Sequence, residues 1–305
     1  MKHSKSQFTI YVELYFARLI IWIFQVLPHR KAQQLAASIG GLFHDLIGVR
    51  KEVAREQLKM TFPEKDDVWV NKTIRQVYRN MAMVAAETAR IPKLKGDEFE
   101  NWMIVEGEEH IEQVLKRGKG CMVVSAHLGC WEYHGAYAAN KGYPVTYVVA
   151  EQANQQLEEL IDDLRRSVGI EIIKRKDAAS GIVKALRKNR MLAIMFDQDA
   201  RDNGVFVPFF GKPASTFKGV ATFVLRMSAS VLVLTSHRTP EGQSKCKLQP
   251  VDYEYTGDYD TDIKGLTARI TEMLEEEIRQ APEQWLWLHK RWKTQPENKN
   301  NESKG

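Results

Sequence analysis

Between Gly118 and Glu132 the chain reads G-K-G-C-M-V-V-S-A-H-L-G-C-W-E. Cys121 to Ala126 is a short apolar run after a glycine turn, the pattern of a strand buried in an α/β sheet. The strand is expected to end at His127. Leu128, Gly129 and Cys130 then form a loop, and a helix opens at Trp131 and runs to about Ala139, with Glu132 in its first turn. A base and a carboxylate thus meet at the carboxyl end of a strand, where open α/β sheets place their chemistry. Of the eight histidines, His127 alone is followed five positions later by an acidic residue. That spacing arises by chance about once in a chain of this composition, so the weight rests on its strand-loop-helix context.

Working outward, the residues before this stretch have helical spacing at Ala32 to Ile47, Arg50 to Met60 and Val68 to Ala89. Breaks fall at Gly40-Gly41, Gly48 and Thr61-Phe62-Pro63, and a short helix is expected over Glu108 to Leu115. After it, apolar runs at Val145–Val149, Ile170–Ile173, Leu192–Phe196 and Val231–Thr235 alternate with helical patterns at Leu157–Val168, Ala178–Leu186 and Phe217–Met227. A last helix runs from about Ile263 to Gln280. The alternation predicts an α/β fold with a mostly parallel central sheet flanked by helices. The expected organisation is an anchoring helix in residues 1–30, one domain over 31–293 and a disordered tail over 294–305.

Phe8 to Leu27 is a run of twenty residues in which Glu13 and Arg18 are the charged positions. Its length could cross a bilayer, while its charges and aromatics suit an interfacial helix equally. Lys2 and Lys5 precede it and Arg30 and Lys31 follow, which leaves orientation open. The net charge of +5, from 44 basic and 39 acidic residues, suits an anionic membrane surface or an acidic partner and is too slight to argue for nucleic acid. Cys121, Cys130 and Cys246 have neither disulfide nor zinc spacing, pointing to a reducing compartment. No metal or cofactor is expected.

Two further blocks carry polar chemistry. Asp197-Gln-Asp-Ala-Arg201 follows the strand ending at Phe196, so Asp197 holds the strand-end position that His127 holds after its own strand. In the loop Val207 to Thr216, Ser215 or Thr216 is expected to cap a helix beginning near Phe217, whose amides with Lys212 and Lys218 would suit an anion. Trp285-Leu-Trp-Leu-His-Lys-Arg-Trp292 fits a lipid headgroup boundary or a C-terminal helix docked on the core.

Together these blocks resemble the bacterial lipid A late acyltransferases, within the lysophospholipid acyltransferase superfamily, over about residues 10 to 293. The resemblance rests on the N-terminal helix, the segment Arg55 to Pro63, the pair His127 and Glu132, Asp197-Gln-Asp199, the loop Val-Pro-Phe-Phe-Gly211 and the terminal Trp-x-x-Lys-Arg-Trp. It implies a glycerolipid acyltransferase-like fold with a helical membrane-associated N-terminal region. It also implies transfer of a fatty acyl chain from an acyl-thioester, commonly acyl carrier protein, to a glycolipid hydroxyl such as that of a lipid A precursor, at the cytoplasmic face of the bacterial inner membrane. His127 would be the general base and Glu132 would orient its imidazole, with amides of the Leu128 to Trp131 turn as oxyanion donors. Substrate binding is assigned to Arg165, Arg166, Asp197, Asp199, Arg201, Lys212 and Arg291. A patch of Arg165, Arg166, Lys174, Arg175 and Lys176 would steer an acidic carrier. Relatives often carry an arginine where this chain has Ala150-Glu151-Gln152, which bears on the acceptor: another glycolipid or a lysophospholipid is the alternative. Two rivals differ in class: a thiol hydrolase built on Cys130 with His127 or His134 as base, and a non-catalytic lipid-binding protein.

Overall fold

The computed structural model describes residues 7–94, 96–151 and 154–296. Lys2, Lys5, Gln152 and the tail from residue 297 onward lie outside the described residues.

The first third is helical: α1 (Gln7–Val26), α2 (His29–Leu46), α3 (Lys51–Thr61), α4 (Asp67–Arg90) and the short α5 (Asp97–Trp102). Local chemistry sets the breaks. Gly48 and Arg50 turn the chain with φ of 60° and 63°, Pro63 prevents α3 from continuing, and Asp66 caps α4 by accepting the Trp69 amide at 2.7 Å.

The α/β part runs β1 (Met103–Glu106), α6 (Glu109–Lys116), β2 (Cys121–Ser125), α7 (Trp131–Asn140), β3 (Val145–Val149), α8 (Gln155–Arg166), β4 (Glu171–Lys174), α9 (Ala178–Arg187) and β5 (Met191–Met195). It continues with β6 (Gly204–Phe209), β7 (Lys212–Phe217), α10 (Gly219–Met227), β8 (Ser230–Arg238), β9 (Ser244–Pro250) and α11 (Tyr259–Gln280). Seven strands form one sheet in the order β1-β9-β8-β2-β5-β3-β4. All its neighbours are parallel except β8 with β9. Right-handed crossovers through α7 and α8 step toward β4, and those through α9 and α10 step back. The first pair therefore covers one face and the second the other. Cys121, Val123 and Ala193 face the α7 side, and Met122, Val124 and Ile194 the α9 side.

The mostly parallel sheet is as expected, and each anticipated strand is present. Strands β1, at the edge, and β9, beside it, escape the sequence reading; Ser244–Pro250 alternates in burial and has no apolar run. The block 204–217 is a β-hairpin closed by Phe210-Gly211, both with positive φ, the geometry of a tight two-residue turn. This corrects the expected cap: Ser215 and Thr216 lie inside β7, and α10 begins at Gly219 without a side-chain cap.

Candidate active site

Strands β2 and β5 are adjacent and in register, with Ser125 opposite Met195. His127 and Asp197 each lie two residues further on, so they emerge side by side at the carboxyl edge. Asp197 Oδ1 sits 2.8 Å from His127 Nδ1, while Oδ2 accepts the His127 amide at 2.8 Å and the Trp285 indole N–H at 2.7 Å. Burial pushes the Asp197 carboxyl up, but the His127 charge and these three donors outweigh it and hold its pKa at about 2. Burial likewise pulls the His127 imidazole down, yet the charge and hydrogen bond of Asp197, with the charge of Glu132, leave it above the ordinary histidine value. Because Asp197 is anionic, Nδ1 carries the proton and Nε2 is the basic nitrogen. The Trp131 ring stands edge-on to the imidazole, 5.0 Å between centroids.

Glu132 has a different partner. Its carboxylate takes the Arg165 guanidinium in a fork, at 2.5 Å to one nitrogen and 3.0 Å to Nε. Arg165 also bonds Asp162 at 3.2 Å and lies over the Tyr147 ring. The expectation that Glu132 orients the imidazole is thereby corrected: Asp197 does so, because the register of β2 with β5 brings it to Nδ1, whereas the loop and first helical turn aim Glu132 toward α8.

A C-terminal strap closes the site from above. Leu286 N donates to the His127 carbonyl at 3.1 Å, Gly129 N donates to Gln284 O at 3.2 Å, and Leu128 and Trp285 form a β-bridge. Asn80 and Gln57 on α4 and α3 donate side-chain amides to Gln284 O and Trp287 O. Trp285 and Trp287 are fully buried, so the aromatic block docks on the core, as a bridge and turns instead of the expected helix. The amides of Leu128 and Gly129 are occupied, the former by Ala126 O. Of the expected oxyanion donors this leaves the amides of Cys130 and Trp131, at the start of α7.

Below His127 a cavity of about 470 Å³ opens into the sheet. Glu132, Arg165, Arg175, Gln198 and Asp199 contribute to its wall near the strand ends, and apolar side chains such as Val123, Ala193, Leu234 and Leu248 line it deeper in. The other assigned substrate residues are placed as follows. Arg291 is buried and spends its guanidinium on Ser215 O and Thr216 Oγ1 at 2.6 and 2.5 Å. It locks the strap to β7 and is corrected from substrate binding to structure. Asp199 holds the Thr294 hydroxyl at 2.9 Å while still lining the cavity. Arg166 pairs with Glu159 and Asp163, and Arg201 and Lys212 lie outside the cavity wall. The expected basic patch is largely neutralised, since Lys174 is held by Glu158 and Asp162.

Cys130 is buried, and burial together with the nearby Glu87 charge raises its thiol pKa well above the ordinary range. A thiolate nucleophile is thus disfavoured there. His134 is buried too, and burial lowers it to about 3.

The sequence compares directly with known proteins. The profile for bacterial lipid A biosynthesis acyltransferase matches residues 1–294. The chain belongs to that family. It is 27% identical over 285 residues to the lipid A biosynthesis palmitoleoyltransferase of Escherichia coli (strain K12), covering 92% of this chain and 91% of that one. Against the lauroyltransferase of the same organism it is 28% identical over 282 residues, covering 91% and 90%. A phosphatidylinositol mannoside acyltransferase of Mycobacterium tuberculosis (strain CDC 1551 / Oshkosh) is 24% identical over 194 residues, covering 62% and 60%. Family membership makes the chain an acyl-transferring enzyme, and the geometry above is that of this acyltransferase's candidate site.

Proposed function

We propose that the protein moves a fatty acyl chain from the thioester of acyl carrier protein to a hydroxyl of a lipid A precursor, with His127 as general base. The observation that carries the reading is the dyad at the head of an apolar cavity: a neutral Nε2 beside a buried anion, above a space fit for a hydrocarbon. His127 Nε2 takes the proton from the acceptor hydroxyl as its oxygen attacks the thioester carbonyl, and Asp197 stabilises the imidazolium that forms. The negative oxygen of the tetrahedral intermediate faces the first turn of α7, whose amides and dipole favour it, and the Arg165 guanidinium. As the intermediate collapses, the carbon–sulfur bond breaks and the thiolate leaves, taking the proton from imidazolium. Glu132 contributes charge near His127 and fixes Arg165.

The membrane reading rests on α1 and α2. The helix Thr9–Val26 is long and apolar enough to cross a membrane, yet Arg90 of α4 and Asn154 at the start of α8 hold it along one side, through Phe24 O and Glu13. Its other side exposes Tyr15, Phe16, Leu19 and Trp22, and α2 exposes Leu35, Ile39, Leu42 and Leu46. Such a face suits a helix bedded in the interface, and α8 carries Arg165 from that side to the cavity. The inner membrane's cytoplasmic leaflet is where a lipid A precursor and a carrier-bound chain would meet.

The test is transfer by the protein in phospholipid nanodiscs, offered acyl carrier protein or coenzyme A thioesters and an acylated glucosamine disaccharide, with products read by mass spectrometry. The added mass of one acyl chain, faster from the carrier, is expected. Transfer to a lysophospholipid in preference to the disaccharide would overturn the acceptor, and a better rate from coenzyme A the donor.

A further inference from the structure

The central sheet is forked at its carboxyl edge. Strand β5 follows β2 up to Ser125 opposite Met195, and β3 follows β4 up to Val149 opposite Lys174. Between the two halves, β3 pairs with β5 only from Val145–Met191 to Tyr147–Ala193, and the last two residues of each strand go unpaired with one another. The closed end is pinned by Arg190, which donates to Thr146 Oγ1 at 2.6 Å and Val145 O at 2.7 Å. At the open end, the Tyr147 hydroxyl reaches toward α7, to Glu132 O at 3.4 Å.

The cavity below His127 passes through this gap. On the α7 face its wall includes Val123, Tyr137, Ala138, Ala193, Leu234 and Leu248, and on the opposite face Val148, Ala178, Ile182, Ile194, Phe196 and Phe217. Val148 and Ile194 alternate with Tyr147 and Ala193 and so point to the α9 face, where they pack with Ile182. Its lining thus falls into two lobes, one on each face of the sheet.

We propose that the fork between β3 and β5 is a second hydrocarbon site, which holds a chain of the acceptor lipid on the α9 face while the donor acyl chain lies on the α7 face. The inference rests on the acyl transfer proposed above and adds where the acceptor is gripped. Attack requires the thioester carbonyl and the acceptor hydroxyl to reach His127 together, and one chain cannot fill both lobes while leaving room for a second apolar substrate. The six α9-face residues named offer aliphatic and aromatic side chains, with no polar side-chain atom among them. A pantetheine arm placed there would bring its amides out of water without partners, whereas an alkyl chain brings none. Arg165, Arg175, Gln198 and Asp199 reach the lining from α8 and from the segments that follow β4 and β5, at the strand ends where headgroups belong.

Photolabelling tests the site without turnover. The His127→Ala protein in nanodiscs is irradiated with a glucosamine carrying a myristoyl chain that ends in a diazirine, and separately with carrier-bound myristate bearing the same group. The acceptor probe should label the peptides holding Val148, Ile182 and Ile194, and the donor probe those holding Tyr137 and Leu248. Kinetics supply the second arm: Ile182→Trp and the milder Ile194→Phe should raise the acceptor KM at least tenfold while retaining the order of donor chain-length preference, and Ala138→Leu should shorten the preferred donor chain. Donor label on the α9 face, acceptor label confined to α1 or the α7 face, or a changed donor preference in both fork variants would overturn the inference. Wild-type protein that transfers no acyl group, with acceptor label still on the α9 face, would remove the transfer reading and leave the second chain site standing.

Discussion

Two carboxylates flank His127, and they are used in opposite ways. Asp197 comes from 70 residues away, gathers three hydrogen-bond donors and faces the imidazole. Glu132 comes from five residues away and is neutralised by a cation on a third element. Nearness in sequence did not decide which carboxylate faces the imidazole. Parallel strand pairing did, because two strands in register deliver equivalent positions to the same point, while the first turn of α7 carries Glu132 past the ring to α8. The difference teaches that Asp197 holds a proton position and Glu132 holds an arginine.

Exchange at the dyad should break this comparison most sharply. His127→Ala should reduce transfer to background with the fold intact, as a thermal melt would check. Asp197→Asn should lower kcat by about 10³–10⁴-fold, since an amide favours the wrong tautomer at Nδ1. The pH dependence sharpens it further. A general base works unprotonated, so wild-type kcat/KM should rise with pH through a pKa above the ordinary value of about 6.5. In Asp197→Asn the larger raising charge is gone while that of Glu132 remains, so the residual activity should have its acid limb at lower pH than wild type. A limb that stays in place would separate His127 from Asp197, and a limb moved instead by Glu132→Gln would return the orienting role to Glu132.

On the other side of the ring the larger effect should be on stability. Glu132→Ala leaves a buried guanidinium with only Asp162 and should cost about 3–5 kcal/mol, the range for breaking a buried pair, measured by denaturant unfolding. Glu132→Leu combined with Arg165→Met should recover most of that loss and still transfer slowly, because the cation at the cavity is gone. Recovery of activity along with stability would make the pair purely structural.

Trp285→Phe removes one of three donors from Asp197 and should cost about 1.5–3 kcal/mol, the worth of a hydrogen bond to a charged group. Asp197 would then hold its charge less firmly, and kcat should fall about tenfold with the acceptor KM little changed. The smallest effect is expected at Arg166, whose charge is already answered by Glu159 and Asp163. Arg166→Ala should change the donor KM by less than about twofold between low and physiological salt, since exposed pairs are screened and worth little.

Several features of the fold were legible because they are local. Cys121 to Val124 is apolar and buried, and the strands β3, β4, β5 and β8 announce themselves by apolar runs of their own. The helical first third follows from 3.6-residue spacing cut at Gly48 and Pro63. His127 stood out as the histidine at a strand end. The hairpin β6–β7 was not read, because Phe210-Gly211 needs φ > 0 at a phenylalanine, a conformation that composition does not advertise. Arg291 and Trp285 could equally have faced lipid or core by their residue types.

The sequence by itself determined the α/β class, the N-terminal apolar helix and the position of the candidate histidine, since each depends on the order of neighbouring side chains and on short-range periodicity. It even placed Asp197 at a strand end equivalent to that of His127. Only the tertiary structure decided that these two ends are adjacent, because strand order in a parallel sheet is set by crossovers and long-range packing rather than by any local signal. The same order makes Asp197 the partner of His127, while the packing of α8 commits Glu132 to Arg165.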